Sequence, residues 1–538
     1  MSNLILNFPE SYNPSSLQVK ILKKIEQSIS NGDKFIVCNA PTGSGKSFFA
    51  PTLANYIGGP SDTWKSRVDD YSIFGEKGSE YVDEEPSFGI YALTITKALQ
   101  DQYKNSFDFA SVLKGQSNYQ CNYDDMLTVD VAPCVYMPAL KKECWSCNRC
   151  SYYHDRNTML KSEFAILNYS MYFSLPDHLK KRQILVCDEA SELEEKLVNQ
   201  FTCELDISFL NKLDIDLSPF PVSHLPTKVL SWLTPLLGNI NKKVESYLTF
   251  FKNNTKKSVE VSRKRGEYSR LLNIQSSLTT LIDTYYDSQY IIEKINGNIK
   301  FIPLKVDVLS KLLFGNADTV ILMSATIIDP KNFCKTLGIT DFDYIEVNSG
   351  FDAKKAPIHI MVKQKLNYQN LKGMLPTLSK QISGLMQHHK NDKGIVHTHT
   401  QYIADFIRDN VKSDRLLCRE AGIKNEDILE SHMESTDPTV LVSPSMSYGV
   451  DLKGDLAKFQ IIIKAPWLPT KDVRVEQMMK IDKDWYVNKM LSTLIQASGR
   501  GIRSNDDECI TYVLDGSIFD TISKNKHKLP KFFLDRFQ

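Results

Sequence analysis

The chain has 538 residues, of which 42% are hydrophobic and 24% are charged, and its formal net charge is +1. This length exceeds what one hydrophobic core can organise, so we expect two or three domains with insertions. The near-neutral charge excludes a protein that binds a polyanion through bulk charge alone, but it leaves room for a local basic groove.

The sequence contains no run of eighteen apolar residues, so we expect no transmembrane helix and no contact with a membrane. Its first residues, "MSNLILNFPESYNP", lack the basic and apolar regions of a secretory signal. We therefore expect a cytoplasmic protein, in which thiols stay reduced. In that compartment a group of cysteines indicates metal binding or catalysis rather than disulfide bonds.

The segment "KFIVCNAPTGSGKSFFAPTLANYI", which begins at Lys34, predicts a nucleotide site. It combines a buried strand, a glycine-rich turn and a helix, the context that a phosphate-binding loop requires. The glycines let backbone N–H groups face phosphate oxygens, Lys46 reaches the β- and γ-phosphates, and the Ser47 hydroxyl binds Mg²⁺. A glycine–serine loop that merely turns is the alternative, and the Lys-Ser pair in register argues against it. We assign nucleotide binding to Thr42, Gly43, Ser44, Gly45, Lys46 and Ser47.

Five cysteines occur between residues 121 and 150, of which 143–150 is polar and loop-like: Cys121, Cys134, Cys144, Cys147 and Cys150. Four thiolates can bind a [4Fe–4S] cluster or a structural zinc ion, and spacing alone does not separate the two metals. The surrounding segment, 104–165, is too long for a simple crossover in a parallel sheet and too poor in apolar periodicity to build its own core. A bound metal would supply the folding free energy that such a core lacks.

The segment "RQILVCDEASELEE" predicts a strand that ends in two carboxylates. We assign Asp188 to Mg²⁺ and Glu189 to the general base that activates water. The alternative is an acidic helix N-terminus, because Asp and Glu also favour the helix dipole there. The phosphate-binding loop upstream favours the catalytic interpretation.

Further strand-then-turn patterns follow toward the C-terminus. "DTVILMSATIID" places Ser324 and Thr326 after a strand, and "TVLVSPSMSYGVDLKGD" places Gly449 and Asp451 after another. Small hydroxyl residues such as Ser324 and Thr326 can link the acidic motif to a moving domain, although the tripeptide alone is weak evidence.

The segment "LIQASGRGIRSNDDE" predicts a helix that carries Gln496, Arg500 and Arg503. The two arginines are three residues apart, so on a helix they would face the same way. Two guanidinium groups on one face suit a triphosphate, where they stabilise charge in the transition state. A surface salt-bridge pair is the alternative interpretation.

Together these motifs resemble the XPD/DinG family of iron–sulfur superfamily 2 DNA helicases. The resemblance runs from Gln18 to "VLD" at 513–515, and "VLKGQSNYQC", "CSYYHDR", "EFAILNYSMYF" and "QASGRGIR" carry it outside the phosphate loop. One departure is Ser191, where the family usually has histidine after Asp-Glu-Ala. Both carboxylates are retained, so we expect Ser191 to alter the coupling of ATP turnover to strand movement rather than hydrolysis itself.

The resemblance implies an α/β fold of two RecA-like domains with parallel sheets, spanning 1–350 and 351–538. It implies two insertions in the first domain, an Fe–S insertion at 104–165 and a helical Arch-like insertion at 195–305. A surface loop is expected at 58–89. ATP and Mg²⁺ would bind between the domains, with Gln18 contacting adenine and with Gly449 and Asp451 contributing to the nucleotide site.

For the cluster, the resemblance implies [4Fe–4S] held by Cys121, Cys134 and Cys150, with Cys144 favoured slightly over Cys147 as the remaining ligand. The small domain would part the strands where duplex enters. Six aromatic residues could stack on bases there, at about 1–3 kcal/mol each, although at least half are expected to pack the domain instead: Tyr119, Tyr123, Tyr136, Trp145, Tyr152 and Tyr153. The basic stretch at 252–270 could contact phosphates or form a solvated turn.

The function that the resemblance implies is an ATP-dependent DNA helicase that moves 5′ to 3′ on single-stranded DNA. It would act as a monomer on single-stranded and forked DNA, in the cytoplasm or with the nucleoid. One alternative is a DinG-like helicase that acts on RNA–DNA hybrids or R-loops. Another is a nucleic-acid-binding protein that uses ATP as a switch without unwinding.

Overall fold

The structure is a computed structural model, and it describes residues 3–41, 43–69, 87–146, 150–254, 259–347, 352–419, 423, 425–444, 452, 454–502 and 507–538. Five residues assigned to sites from the sequence lie outside the described residues: Thr42, Cys147, Gly449, Asp451 and Arg503. Among the helices of the described residues, none combines the length and the apolar character that a membrane-spanning segment needs.

The described residues form sixteen strands: β1 (Phe35–Asn39), β2 (Ile90–Thr94), β3 (Ser111–Val112), β4 (Phe164–Asn168), β5 (Arg182–Cys187), β6 (Cys203–Leu205), β7 (Tyr290–Ile295), β8 (Asn298–Pro303), β9 (Ala317–Ser324), β10 (Asp343–Glu346), β11 (Ile358–Ile360), β12 (Gly394–His397), β13 (Leu416–Leu417), β14 (Val440–Ser443), β15 (Phe459–Ile462) and β16 (Ile510–Val513).

The same residues form twenty α-helices: α1 (Ser16–Asn31), α2 (Phe49–Ile57), α3 (Asp62–Asp69), α4 (Lys97–Ser106), α5 (Pro138–Ser146), α6 (Ser151–Lys161), α7 (Tyr169–Ser174), α8 (Leu193–Phe201), α9 (Ile207–Lys212), α10 (Pro226–Asn253), α11 (Val259–Thr284), α12 (Lys311–Phe314), α13 (Pro330–Thr336), α14 (Tyr368–His388), α15 (Gln401–Asn410), α16 (Asn425–Glu434), α17 (Val473–Ile481), α18 (Lys483–Ser498), α19 (Ser517–Asn525) and α20 (Lys531–Leu534).

The first sheet has seven strands in the order β10-β1-β9-β5-β2-β4-β3, and all its pairings are parallel. Its two faces are covered by separate apolar clusters, with Val37 of β1 in one and Ile36 and Cys38 in the other. Strands buried on both faces are typical of a parallel sheet with helices on each side. This explains why β1 and β2 are nearly continuous apolar runs.

The second sheet has six strands in the order β11-β16-β15-β12-β14-β13, and it is again wholly parallel. Its strands come from residues 358–513, whereas those of the first sheet come from residues 35–346. Two parallel sheets built from successive parts of the chain confirm the predicted fold class.

The cysteine-rich insertion lies between α4 and β4, and it is tied to the first sheet. Strand β3, inside the predicted range 104–165, is the edge strand of that sheet rather than part of a separate unit. Trp145 and Tyr152 of the insertion belong to the same apolar cluster as Tyr91 and Leu93 of β2. The insertion therefore shares the core of the first domain, which the weak apolar periodicity of the segment did not indicate.

The second insertion is mostly helical, as predicted, but it also contains an antiparallel sheet in the order β6-β8-β7. Helices α10 and α11 pack against each other over a shared apolar cluster. The β7–β8 hairpin turns at Asn296 and Gly297, whose φ angles are 51° and 82°. Asn-Gly between two alternating strands is a strong hairpin signal, because both positions need φ > 0.

The predicted surface loop at 58–89 begins with the ordered helix α3. Trp64 is buried and its indole N–H donates to the carbonyl of Leu160 at 2.9 Å. This part of the segment is therefore packed on α6 and is not a solvated loop, while residues 70–86 lie outside the described residues.

Candidate functional site

The phosphate-binding loop joins β1 to α2 with the geometry that its glycines require. Gly43 and Gly45 have φ angles of 77° and 74°, in the left-handed region that residues with a Cβ rarely adopt. Lys46 turns back over the loop, and its Nζ donates to the carbonyl of Ala40 at 3.1 Å. Ser44 is buried and Ser47 is partly buried. The described part of the loop thus has the left-handed glycines and the folded-back lysine that the predicted phosphate-binding loop requires.

Gln18 is buried against this loop through both ends of its amide. Its Oε1 accepts from the backbone N–H of Ser15 at 2.8 Å, closing a capping box at the start of α1. Its Nε2 donates to the carbonyl of Gly45 at 3.3 Å. The side chain therefore braces the loop, and the adenine contact stays a prediction.

The two carboxylates follow β5 directly, at the carboxyl end of the sheet. Asp188 accepts from the backbone N–H of Glu189 at 2.9 Å and from the Tyr103 hydroxyl at 3.2 Å. Glu189 itself has a φ of 51°. Tyr103 lies on α4 and carries no motif, so sequence patterns gave no sign of its contact with Asp188.

Electrostatics connect the carboxylates to the phosphate loop. Burial, and secondarily the neighbouring Glu189, raise the pKa of Asp188 to about 6, while Lys46 opposes that shift. Strands β1, β9 and β5 are adjacent in the sheet, so the loop after β1 and the acidic turn after β5 meet at one edge. Two adjacent carboxylates whose charge is only partly compensated fit a divalent cation, which Asp188 and Ser47 would hold.

Ser191 connects the acidic turn to the end of β9. Its hydroxyl accepts hydrogen bonds from Ser324 and from Thr326, both at 3.0 Å. The residue that departs from the expected histidine thus contacts both hydroxyl residues of the Ser-Ala-Thr segment. This network joins two of the predicted motifs directly.

The arginine-bearing segment differs from its predicted helix. Helix α18 includes Gln496 but ends at Ser498, so Arg500 lies in the following turn and not on the predicted helix, while Arg503 lies outside the described residues. A Cβ on Gly501 would lie 2.5 Å from the Cys509 sulfur, so the chain needs a glycine at this close approach. Arg500 is 6% exposed, and after burial it is the next cause of the lowered pKa of His397 on β12.

Three of the predicted cluster cysteines, Cys121, Cys134 and Cys150, are buried, and Cys144 is partly buried. Burial, followed by the nearby thiols of the other three, raises the pKa of Cys134 to about 12. No group of three or more cysteine, histidine or acidic side chains in the described residues is arranged to hold a metal ion. The thiols of Cys144, Cys150 and Cys121 are nevertheless near enough to Cys134 to raise its pKa, and four thiols are the donor set that an iron–sulfur or zinc centre needs.

The aromatic residues near the cysteines mostly pack the insertion. Five are buried or partly buried, whereas Tyr123 is 69% exposed. Tyr136 stacks on Phe251 of α10 with ring centres 4.2 Å apart, and the Arg265 guanidinium lies 5.5 Å from the Tyr136 ring. At least one cation of the basic stretch therefore joins the two insertions instead of facing solvent.

A buried ionic contact joins the two domains beside the acidic turn. Glu194, on α8, is 4% exposed and receives hydrogen bonds from Arg474 and Trp485. Lys489 lies 2.7 Å from its other oxygen. Burial alone would raise the pKa of Glu194, but Lys489 and Arg474 lower it to about 2. Sequence patterns gave no signal for this contact, because its partners follow 280 or more residues later.

Comparisons with known proteins agree with this arrangement. The helicase C-terminal domain family model matches residues 379–533, the part of the chain that carries most of the second sheet. No curated protein matched the sequence.

Three solved structures are similar over nearly the whole chain. An XPD helicase has 17% sequence identity and a TM-score of 0.61, with 96% of this chain and 98% of that chain covered. For Xpd4 of S. tokodaii the values are 14% and 0.57, with 95% and 97% covered. For an apo XPD they are 15% and 0.54, with 94% and 97% covered. The chain therefore has the fold of these XPD helicases, and residues 379–533 match a helicase C-terminal domain.

Proposed function

We propose that the chain is an ATP-dependent DNA helicase that hydrolyses ATP between its two RecA-like domains and moves 5′ to 3′ on single-stranded DNA. The observation that carries this proposal is the meeting of Lys46 and Asp188 at one edge of the first sheet. A cation that neutralises phosphate and a carboxylate that binds Mg²⁺ are the minimum that phosphoryl transfer to water needs.

The residues around Lys46 and Asp188 each have a separate role in the proposed reaction. Lys46 and the loop N–H groups hold the β- and γ-phosphates, and Ser47 and Asp188 hold Mg²⁺. Glu189 accepts the proton of the attacking water, because its carboxylate neighbours the metal-binding carboxylate without being the metal ligand. Tyr103 and the Glu189 N–H fix the orientation of Asp188 through the two hydrogen bonds they donate.

The second domain supplies further positive charge for hydrolysis, in addition to that of Lys46 in the first domain. Arg500, with Arg503 beyond the described residues, would stabilise the charge that develops on the γ-phosphate. Because the two sets of groups belong to different domains, hydrolysis depends on how the domains are placed relative to each other. Strand movement is the proposed mechanical result of that dependence.

Cys121, Cys134, Cys144 and Cys150 would hold a [4Fe–4S] cluster. The bound cluster would supply folding free energy and rigidity to the insertion. The raised pKa of Cys134 means that this thiol is protonated at neutral pH without metal, so loading the site must release its proton. Tyr123, the exposed aromatic residue of the set, is the strongest candidate to stack on a base at the strand junction.

The proposal is tested with anaerobically purified protein, ATP and Mg²⁺. We expect single-stranded DNA to stimulate hydrolysis and 5′-tailed duplexes to be unwound, while 3′-tailed duplexes are not. Lys46→Ala, which removes only the phosphate-binding cation, should lose hydrolysis. Unwinding of 3′-tailed substrates alone would overturn the polarity.

Two further measurements separate the alternatives. RNA–DNA hybrids with 5′ tails, unwound faster than DNA duplexes, would indicate a DinG-like activity on hybrids. Nucleic-acid binding that responds to ATP, without stimulated hydrolysis or strand separation, would indicate an ATP-controlled binding protein.

A further inference from the structure

The contact between Glu194 and the second domain has a position that the proposed hydrolysis does not explain. Glu194 lies on the first turn of α8, three residues after Ser191, so its place is set by the same turn that presents Asp188 and Glu189. Its carboxylate contacts the second domain. There it receives three different donors, from α17 and α18.

The donors surround the carboxylate on both oxygens. Arg474 donates to Oε1 at 2.5 Å, the Trp485 indole N–H lies 2.9 and 3.0 Å from the two oxygens, and Lys489 lies 2.7 Å from Oε2. Arg474 also donates to the carbonyl of Pro303 at 3.0 Å, so it contacts the first domain twice. A carboxylate held by two cations and an indole inside a protein is much less tolerant of displacement than an exposed ion pair.

Helix α18 connects this contact to the arginine-bearing turn. Trp485 and Lys489 are on its first half, Gln496 is on its last turn, and Arg500 follows its end by two residues. The end of the helix is itself fixed, since Gln460 and Arg536 both donate to the carbonyl of Ser498. The helix and the turn that carries Arg500 are therefore held to the same domain, so a displacement of that domain at Lys489 would also displace Arg500.

We propose that Glu194 is a positioning residue: it holds α18, and with it Arg500, in register with the acidic segment 188–191. It touches neither nucleotide nor Mg²⁺ and acts through the arginine that does. The inference rests on the proposed function, because it concerns the same ATP turnover between the domains. It adds a residue that sets how the two domains are placed relative to each other. Its buried carboxylate links the groups that bind metal to the groups that stabilise the transition state.

The test compares Glu194→Gln with Glu195→Gln in the full chain. Glu195 is the next residue on α8 and is exposed, so it controls for the loss of one charge from this helix. We expect Glu194→Gln to lower kcat for DNA-stimulated ATP hydrolysis roughly 10- to 100-fold, because misplaced catalytic groups cost rate in this range. KM for ATP should change less than about 3-fold, since the phosphate loop is untouched. Glu195→Gln should leave both constants at their wild-type values.

A double variant separates positioning from general weakening of the interface. If Glu194 acts through Arg500, then Glu194→Gln should lower kcat no further in an Arg500→Ala background, whereas independent effects would multiply. Lys489→Arg, which retains a cation for the carboxylate, should keep most of the activity. If Glu194→Gln fails to fold, Lys489→Gln tests the same contact from a side chain that is 26% exposed.

Three results would overturn the inference. They are an unchanged kcat in folded Glu194→Gln, an effect that multiplies with that of Arg500→Ala, and a rise in hydrolysis without DNA, which would make the contact a brake. A wild-type chain that hydrolyses no ATP would overturn the proposed function itself, and that result is seen before any Glu194 variant is made.

Discussion

Ser324 donates a hydrogen bond of 3.0 Å to Ser191, joining the end of β9 to the turn that carries both proposed catalytic carboxylates. Thr326 donates to the same oxygen. Ser191 is a small acceptor between two hydroxyl groups, so its place in the network depends on its own oxygen. A displacement of the acidic turn can therefore reach the Ser-Ala-Thr segment through the hydroxyl oxygen of Ser191.

We expect Ser191→Ala to change coupling more than hydrolysis. The substitution removes the shared acceptor and leaves the two buried hydroxyls of Ser324 and Thr326 without it, but it leaves Asp188 and Glu189 in place. ATP turnover should stay within about 3-fold of wild type, since a neutral hydrogen bond contributes only about 0.5–1.5 kcal/mol. The number of base pairs unwound per ATP should fall, and parallel hydrolysis and unwinding assays measure that ratio.

Thr326→Val is the matched control for this prediction, because it removes one of the two donors at nearly constant volume. It should lower the same ratio by a smaller factor. An unchanged ratio in both variants would show that the network has no part in coupling.

The raised pKa of Asp188 predicts a pH dependence of metal binding. In the nucleotide-free protein this carboxyl takes up a proton as the pH falls through about 6. At limiting Mg²⁺, hydrolysis should decline over the same interval, and excess Mg²⁺ should move the midpoint lower because metal and proton compete for one site. Profiles of kcat/KM at two Mg²⁺ concentrations measure the shift, and a midpoint that ignores Mg²⁺ would contradict the assignment.

The raised pKa of Asp188 also means that its ionised carboxylate lowers the free energy of unfolding at neutral pH. A folded-state pKa above the usual 3.8 means that its stabilising contribution is complete below about pH 3.8 and is lost as the pH rises through about 6. Asp188→Asn should therefore abolish hydrolysis and yet raise the free energy of unfolding at pH 7.5 by ~1–3 kcal/mol. Thermal melting without nucleotide tests this, with the exposed Asp283→Asn as control. A less stable Asp188→Asn protein would show that the carboxylate is well compensated.

Gly45 is predicted to be irreplaceable for two separable reasons. Its φ of 74° strains any residue with a Cβ, and a Cβ there would lie 2.2 Å from Nε2 of Gln18. Gly45→Ala should thus lose nucleotide binding, measured by equilibrium titration. Gly32→Ala has the same strain, with a φ of 81° but open space around it, so it should cost about 1 kcal/mol of stability and leave binding intact.

A second substitution separates the two causes. Gln18→Ala in the Gly45→Ala background removes the clash while keeping the strained φ. Partial recovery of nucleotide affinity would identify the clash as the main cause, whereas no recovery would assign the loss to the backbone.

Local sequence patterns predicted the elements whose characteristic residues are consecutive in the chain. The phosphate loop and the Asp-Glu turn follow strands whose apolar runs mark them as buried, and parallel order then brings them together. Tyr103 and Glu194 could not be found this way, because their roles exist only through partners that the fold brings from distant segments. The β7–β8 hairpin could have been predicted, because its Asn-Gly signal is present in the sequence. The helical periodicity of the surrounding segment led to a prediction of helices there instead.

The ends of helices were also hard to predict from the sequence. The spacing of Arg500 and Arg503 suggested one helical face, but two glycines flank Arg500 and the helix stops before it. Glycine lowers helix propensity by about 1 kcal/mol, so two in three residues favour a turn. A pattern of charges three apart predicts a shared face only while the helix continues.

The cysteines allow a prediction that distinguishes ligands one by one. We expect serine at Cys121, Cys134, Cys144 or Cys150 to abolish stoichiometric iron and the visible absorbance of anaerobically purified protein. Cys147→Ser should retain both, and Cys418→Ser, a partly buried cysteine of the second domain, serves as the control. Iron and sulfide analysis of each variant, beside its absorbance spectrum, gives the measurement.

The cluster-deficient variants should also separate hydrolysis from unwinding. The insertion shares the apolar core of the first domain through Trp145 and Tyr152, so losing the metal should loosen the insertion without dissolving the nucleotide site. Basal ATP hydrolysis should therefore persist while strand separation is lost. Iron retained in Cys144→Ser but absent from Cys147→Ser would exchange those two assignments, and stoichiometric zinc in colourless wild-type protein would replace the cluster altogether.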